Sequence, residues 1–301
     1  MKAFTFAAAA ALVISCGLFA QGQQDFSKVQ IETVKLTPNF YVLNGQGGAI
    51  GVLTGPDGVL MVDSQFAPLT EKIVAAIKQI SNGAPIRFLI NTHVHGDHTG
   101  GNENLAKMGV TILARPEVRE RLMHPAPGAN GAPGTPAPAA ALPVITYDSP
   151  ITFHMDGEEV QAIPIPKAHT DGDTLAYFPR NNVIMIGDYF RSLGYPNIDR
   201  TNGGSLPGML AGIDKAISLC NADTKVVPGH GMISDRAGLM AHRAMIIAIR
   251  DKIAPLVAQG KSLQDVIAAK PTADYDAKVP GVGTTGERFI GQVYAELKAG
   301  K

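Results

Sequence analysis

The sequence predicts a layered α/β fold, and three observations carry that prediction. Short apolar or β-branched runs recur, each closed by a glycine-containing loop, as strands are. Other stretches place apolar residues at helical spacing, such as Leu69, Ile73, Ile77 and Ile80. Histidines and aspartates gather where apolar runs open into loops, and in α/β folds such strand ends converge on one functional rim. The chain has 301 residues, 45% hydrophobic and 17% charged. That suits one sizeable domain over 29–301 ending in C-terminal helices. The formal net charge is zero with no basic stripe, which argues against nucleic acid and for a small-molecule substrate.

Residues 1–22 are expected to be a secretory signal peptide. Met1-Lys2 supplies a positive start, 4–14 is apolar and too short to span a membrane, and Ala20-Gln21-Gly22 offers a cleavage site. Val13-Ile14-Ser15-Cys16 also resembles a bacterial lipoprotein box, which would make Cys16 a lipid anchor. The expected location is therefore periplasmic or secreted. After cleavage only Cys220 would remain, so no internal disulfide is possible. Cys220 closes a helix predicted over 209–220 and reads as a structural thiol.

Runs 39–43, 49–53 and 59–62 are separated by Asn44-Gly45, Gly47-Gly48 and Gly55-Pro56-Asp57-Gly58, the pattern of an antiparallel meander. The tip at 46–48 is expected to be flexible and able to cover a site. Asp63 ends the third run, either as a cap for the next helix or as a buried carboxylate orienting a metal loop. A helix is predicted over 68–80 and a strand over 87–91. That strand opens into Asn91-Thr92-His93-Val94-His95-Gly96-Asp97-His98, where four metal-capable side chains fall within six residues. His93 and His95 lie two apart and can point the same way off an extended segment. Gly96 lets the chain turn and aim Asp97 and His98 at a second point. One loop can thus serve two ions, and imidazole with carboxylate suits zinc, manganese or iron better than calcium.

Further on, a helix over 103–108, a strand over 110–113 and a helix over 116–123 are predicted. Residues 125–143 are almost wholly Ala, Pro and Gly, and read as an extended or mobile loop, a lid or an insertion. His124 reads as exposed. A hairpin is predicted over 151–165 around Asp156-Gly157, with His154 structural. His169 stands in a loop after Pro166. Strands 175–178 and 183–186 follow, the second delivering Gly187-Asp188, and 226–227 delivers Pro228-Gly229-His230-Gly231. Helices are predicted over 236–258, 262–269 and 287–297, with His242 on a surface or helix face.

The order His93-x-His95-x-Asp97-His98, then His169, Asp188 and His230 in a Pro-Gly-His-Gly context, resembles the metallo-β-lactamase fold superfamily. Asp63 fits that family's first acidic motif, and the resemblance runs from Tyr41 to His230. It implies a four-layer αββα sandwich of two mixed sheets flanked by helices, with metals at one edge. It implies that His93, His95 and His169 hold one zinc ion and that Asp97, His98 and His230 hold a second. Asp188 would bridge the two, Asp63 would orient the ligand loop, and Asp97 would also relay a proton. The best-known zinc β-lactamases have cysteine at the position of Asp188; aspartate is typical of hydroxyacylglutathione hydrolases and lactonases. Arg191 matches the spacing of a lysine that binds the substrate carboxylate in β-lactamases, and its other reading is a solvated arginine. Asn197 is a candidate for polarising the substrate carbonyl.

The function these residues imply is an exported, zinc-dependent dinuclear hydrolase, in which water ionised at the metals attacks an amide or ester ring, β-lactam-like or lactone. The alternatives are a thioester hydrolase of the glyoxalase II type, an iron-dependent persulfide dioxygenase and a non-catalytic zinc-binding protein.

Overall fold

The structure is a computed structural model that describes residues 25–127, 131–279 and 283–300. The expected signal segment 1–22 and Cys16 lie outside the described residues. Strands β1 (Glu32–Lys35), β2 (Phe40–Asn44), β3 (Ile50–Gly55) and β4 (Gly58–Val62) form the meander, each antiparallel to the next. Helix α1 (Thr70–Ile80) then carries the chain to β5 (Ile86–Ile90), which runs parallel to β4. Short helices α2 (Gly96–Thr99) and α3 (Asn102–Lys107) lead to β6 (Thr111–Ala114), α4 (Pro116–Met123) and β7 (Ile145–Thr146). These strands make one seven-stranded sheet in sequence order.

The second sheet has five strands: β8 (Ile151–Met155), β9 (Glu158–Ile165), β10 (Asp173–Phe178), β11 (Val183–Met185) and β12 (Lys225–Val227). Helix α5 (Leu206–Leu219) joins β11 to β12, the one parallel pair in this sheet. Helices α6 (Arg236–Ala258), α7 (Leu263–Ala268) and α8 (Gly286–Ala299) complete the described chain. Their starts are encoded locally. Asp235 accepts from Gly238 N, and Ser262 with Asp265 forms a reciprocal capping box.

Strand alternation divides the core into layers. In β4, Leu60 and Val62 face the second sheet, whereas Val59 and Met61 face Ile73 and Ile77 of α1. In β11, Val183 and Met185 meet the first sheet, and Ile184 packs with Ile213 and Ile246 of the outer helices. Phe40 and Phe178 meet edge-on between the sheets with centroids 4.5 Å apart. The result is the αββα sandwich that the resemblance implied. β1 and β7 were not foreseen; both are short edge strands with exposed residues and no apolar alternation.

His242 corrects an expectation. It is buried at 8% exposure, edge-on to Phe190 with ring centroids 4.9 Å apart. Its Nε2 has no hydrogen-bond partner among the described residues. Burial pushes its pKa down from 6.5 to about 4. The fold therefore favours the neutral ring. Its contribution is complete above pH 6.5 and is lost as pH falls from there through about 4. Unfolding followed by circular dichroism across that window should show the parent protein losing on the order of 3 kcal/mol that His242→Leu retains; parallel pH curves for the two would contradict it.

Candidate metal centre

Four chain segments reach one rim of the sandwich. β5 ends in buried Ile90, and Asn91 then exchanges side-chain amide hydrogen bonds with Asn102 of α3 at 2.8 and 3.1 Å. His93 follows. His95 is the extended residue that starts α2, which puts Asp97 and His98 in its single turn. Ser64, just after β4, clamps that turn: its N–H and hydroxyl both donate to the His98 carbonyl, at 2.8 and 2.9 Å. The flanking Asp63 and Gln65 hold positive φ angles of 63° and 51°, a conformation costing about 1–3 kcal/mol each, which these contacts sustain. His169 sits in the β9–β10 loop, where Asp173 accepts from both the N–H and the hydroxyl of Thr170. Asp188 and His230 follow β11 and β12, whose ends are locked together by Gly229 N donating to the Gly187 carbonyl at 2.8 Å. A Cβ at Gly229 would lie 2.0 Å from Asp188 Oδ1, so glycine is what lets the two ends close.

All seven expected ligand residues come together. His93, His95, His169 and Asp188 form one donor group, and Asp97, His98 and His230 form another, the donor atoms within each lying within 4.8 Å of one another. Asp188 faces both. Its Oδ1 lies 3.2 Å from His98 Nε2 and 3.3 Å from His230 Nε2, and its Oδ2 lies 3.9 Å from His169 Nε2.

The hydrogen bonds on the outer side of the histidines decide what faces inward. His169 Nδ1 donates to the Asn197 carbonyl at 2.7 Å. His95 Nε2 donates to Asp199 Oδ2 at 2.7 Å, and His98 Nδ1 donates to Asp63 Oδ2 at 2.7 Å. Thr92 Oγ1 donates to Asp63 Oδ2 at 2.6 Å and so accepts from His93 Nδ1 at 3.0 Å. The inner nitrogens of His93, His95 and His169 are then bare lone pairs. Yet His95 Nδ1 lies 3.0 Å from His169 Nε2 and 3.2 Å from His93 Nε2, and His98 Nε2 lies 3.4 Å from His230 Nε2. Asp188 Oδ1, buried among them, has no hydrogen-bond partner among the described residues. Converging lone pairs and an orphaned carboxylate oxygen fit divalent cations, and this nitrogen–oxygen donor set is one that zinc favours.

The electrostatics agree. Burial holds His93 well below the ordinary imidazole value, and burial brings His169 down to about 4, so both rings stay neutral. Burial would also depress His98, but Asp63 and Asp188 outweigh it and hold that ring well above its usual value. Burial would raise Asp188, and His98 and His230 outweigh it. Asp97 is drawn down to about 2 as His230 overcomes its burial. A cation taken up here therefore competes with protons held between the carboxylates and His98 and His230.

The rim differs from expectation in two places. The β2–β3 tip is tied down: Gly48 is buried, its N–H donates to the Asp97 carbonyl at 3.0 Å, and its own carbonyl accepts from Gln65 Nε2 at 2.7 Å. A Cβ at Gly48 would lie 2.1 Å from His98 Cε1. Gly48→Ala should therefore displace His98 and lower kcat on the order of 10²-fold; a steady-state rate equal to that of the parent would contradict it. Asn197 enters through its backbone carbonyl, while its side-chain Oδ1 accepts from Gln292 of α8 at 2.8 Å. Arg191 lies beside the centre, largely buried, with Nε 3.9 Å from Asp188 Oδ2 and that nitrogen without a hydrogen-bond partner among the described residues.

The described part of the Ala/Pro-rich stretch folds back on α4, with Ala137 N donating to the Leu122 carbonyl at 2.8 Å. It walls a cavity of about 370 Å³ that opens beside His95 and Asp199 and is lined by Leu122, Pro125 and Ala126. His124 and His154 are exposed and stand outside the centre. Cys220 is half-buried and its thiol is pushed up to about 11 by burial, which suits a structural role. Sequence reading missed Asp199 and Thr92. The available signal for Asp199 was its turn with Asn202, whose N–H donates back to it.

Comparison with known proteins agrees with this geometry. The chain is 28% identical over 164 residues to a hydroxyacylglutathione hydrolase of Nitrosococcus oceani, covering 54% of this chain and 55% of the relative. It is 32% identical over 181 residues to a hydroxyacylglutathione hydrolase of Brucella anthropi, covering 58% and 60%. The chain thus spans little more than half the length of these curated relatives. Among solved structures, the DIM-1 metallo-beta-lactamase superposes with a TM-score of 0.59 at 20% identity, over 73% of this chain and 98% of that one. That likeness concerns the fold. The sequence model of the Metallo-beta-lactamase superfamily matches residues 43–230, the span that holds every residue of both donor groups, and the chain belongs to that superfamily.

Proposed function

We propose that the protein is a dinuclear metal-dependent hydrolase acting on an amide or ester ring, β-lactam-like or lactone. The observation behind it is the convergence of seven side chains into two donor groups with Asp188 between them. Two zinc ions held there would supply Lewis acidity and bring the pKa of water from about 16 toward neutrality. The protein's own part is positional. His93, His95 and His169 present one set of nitrogens; His98 and His230 present another. Asp97, at 26% side-chain exposure the most open carboxylate of the cluster, would take a proton and pass it to solvent. Arg191 would hold a substrate carboxylate through its guanidinium, and the cavity beside His95 would take the part of the substrate that extends from the reacting carbonyl. Arg191→Met should raise KM about tenfold with kcat little changed; an unmoved KM on a carboxylate-bearing substrate would remove Arg191 from the site.

A second reading, a thioester hydrolase, is favoured by the named activity of the two relatives and by an aspartate at position 188. One panel separates the readings: zinc-reconstituted protein assayed on a chromogenic cephalosporin, on lactones and on an S-acyl glutathione, with an oxygen electrode alongside. Ring opening supports the first reading, thioester cleavage alone the second. Oxygen uptake by iron-loaded protein would mark a persulfide dioxygenase, and metal without turnover a binding protein. We further propose action outside the cytoplasm, supported by the leader-like composition of 1–22. Fractionation with N-terminal sequencing tests it, and a Cys16 anchor would place the protein in the membrane fraction.

A further inference from the structure

We infer that Asp199 is a positioning residue for one donor group alone, whereas Asp63 serves both. This rests on the metal-centre reading above. His93 and His169 are wholly buried, and Thr92 and the Asn197 carbonyl hold their rings. His95 is 27% exposed and is the one histidine of its group open to solvent. A ring in that position can turn, and can carry its proton on either nitrogen. Asp199 removes both freedoms. Its Oδ2 accepts from His95 Nε2 at 2.7 Å, which leaves Nδ1 as the lone pair facing His93 and His169.

The carboxylate is itself fixed by a chain of donors. Asn202 gives Asp199 two hydrogen bonds, Nδ2 to Oδ2 at 2.7 Å and N to Oδ1 at 3.2 Å. Asn202 Oδ1 accepts from Arg121 Nη1 at 3.2 Å. Arg121 is held in turn by Asp171, with Nε and Nη2 at 2.6 and 2.5 Å from its two oxygens. The series Arg121–Asn202–Asp199–His95 thus ties α4 to one ligand. Asp63 works differently. It bonds His98 directly and reaches His93 through Thr92, so it touches a ligand of each group. Loss of Asp199 should therefore weaken one ion, whereas loss of Asp63 should weaken both.

The test uses the full protein, zinc, and Asp199→Ala with Asp199→Asn as its conservative partner. Zinc affinity is read by chelator competition, and the His95 tautomer by nitrogen-15 NMR of metal-free protein. In Asp199→Ala, one of the two zinc affinities should fall about 10–100-fold while the other stays. Asp199→Asn should fall less, because its amide oxygen still accepts from Nε2. The parent should show His95 protonated on Nε2, and Asp199→Ala a mixture. Two unchanged affinities in Asp199→Ala would overturn this inference alone. So would an equal loss of both with a lowered melting temperature of metal-free protein, the mark of a merely structural residue. A parent protein that takes up no zinc would overturn the metal-centre reading and this inference together.

Discussion

Asp63→Ala should weaken metal binding in both donor groups and destabilise the fold at once, the largest combined effect of any single substitution here. Asp63 is 1% exposed and accepts three hydrogen bonds: Thr92 N at 2.7 Å, Thr92 Oγ1 at 2.6 Å and His98 Nδ1 at 2.7 Å. Truncation leaves those donors buried and unpaired, at about 1–3 kcal/mol each. His98 loses its proton acceptor, and His93 loses the hydroxyl that Asp63 holds in place. Zinc affinity in each group should fall about 10–100-fold. Urea unfolding and chelator competition read the two effects separately. Parental affinity in a destabilised protein would reduce Asp63 to a structural carboxylate.

His95→Ala makes the opposite pairing of effects. Its side chain is 27% exposed, and no core cluster depends on it, so unfolding free energy should change by roughly 0.5 kcal/mol or less. One nitrogen donor disappears from the first group. If Lewis acidity there lowers the barrier by several kcal/mol, kcat should drop about 10³-fold. Circular dichroism and steady-state kinetics on the substrate found by the panel measure both. Unchanged turnover in this variant would mean that the reaction takes place elsewhere on the molecule.

The donor-group residues were legible because each is a polar exception at the end of an apolar run. β5, β11 and β12 had to be buried, so the His or Asp that follows each had to emerge at a sheet edge. The outer partners left no such mark. His95 and Asp199 are 104 residues apart in the chain, and a single hydrogen bond across that distance has no periodicity to betray it. Asp63 stood open between cap and buried carboxylate because both place an acid at a strand end; burial resolves its surroundings as carboxylate to Thr92 and His98. His242 should have been readable. It shares a helical stripe with Leu239, Met245, Ile246 and Ile249, all buried, and that spacing marks a core-facing position despite the polarity of the ring. The β2–β3 tip looked free because glycines permit motion, whereas here they permit close approach to Asp97 and His98.

Elemental analysis of purified protein after zinc reconstitution and removal of loose metal is the most direct measurement. Two zinc ions per chain are expected, because two donor groups lie on either side of Asp188. A zinc content near zero in a folded, monodisperse sample would contradict the account.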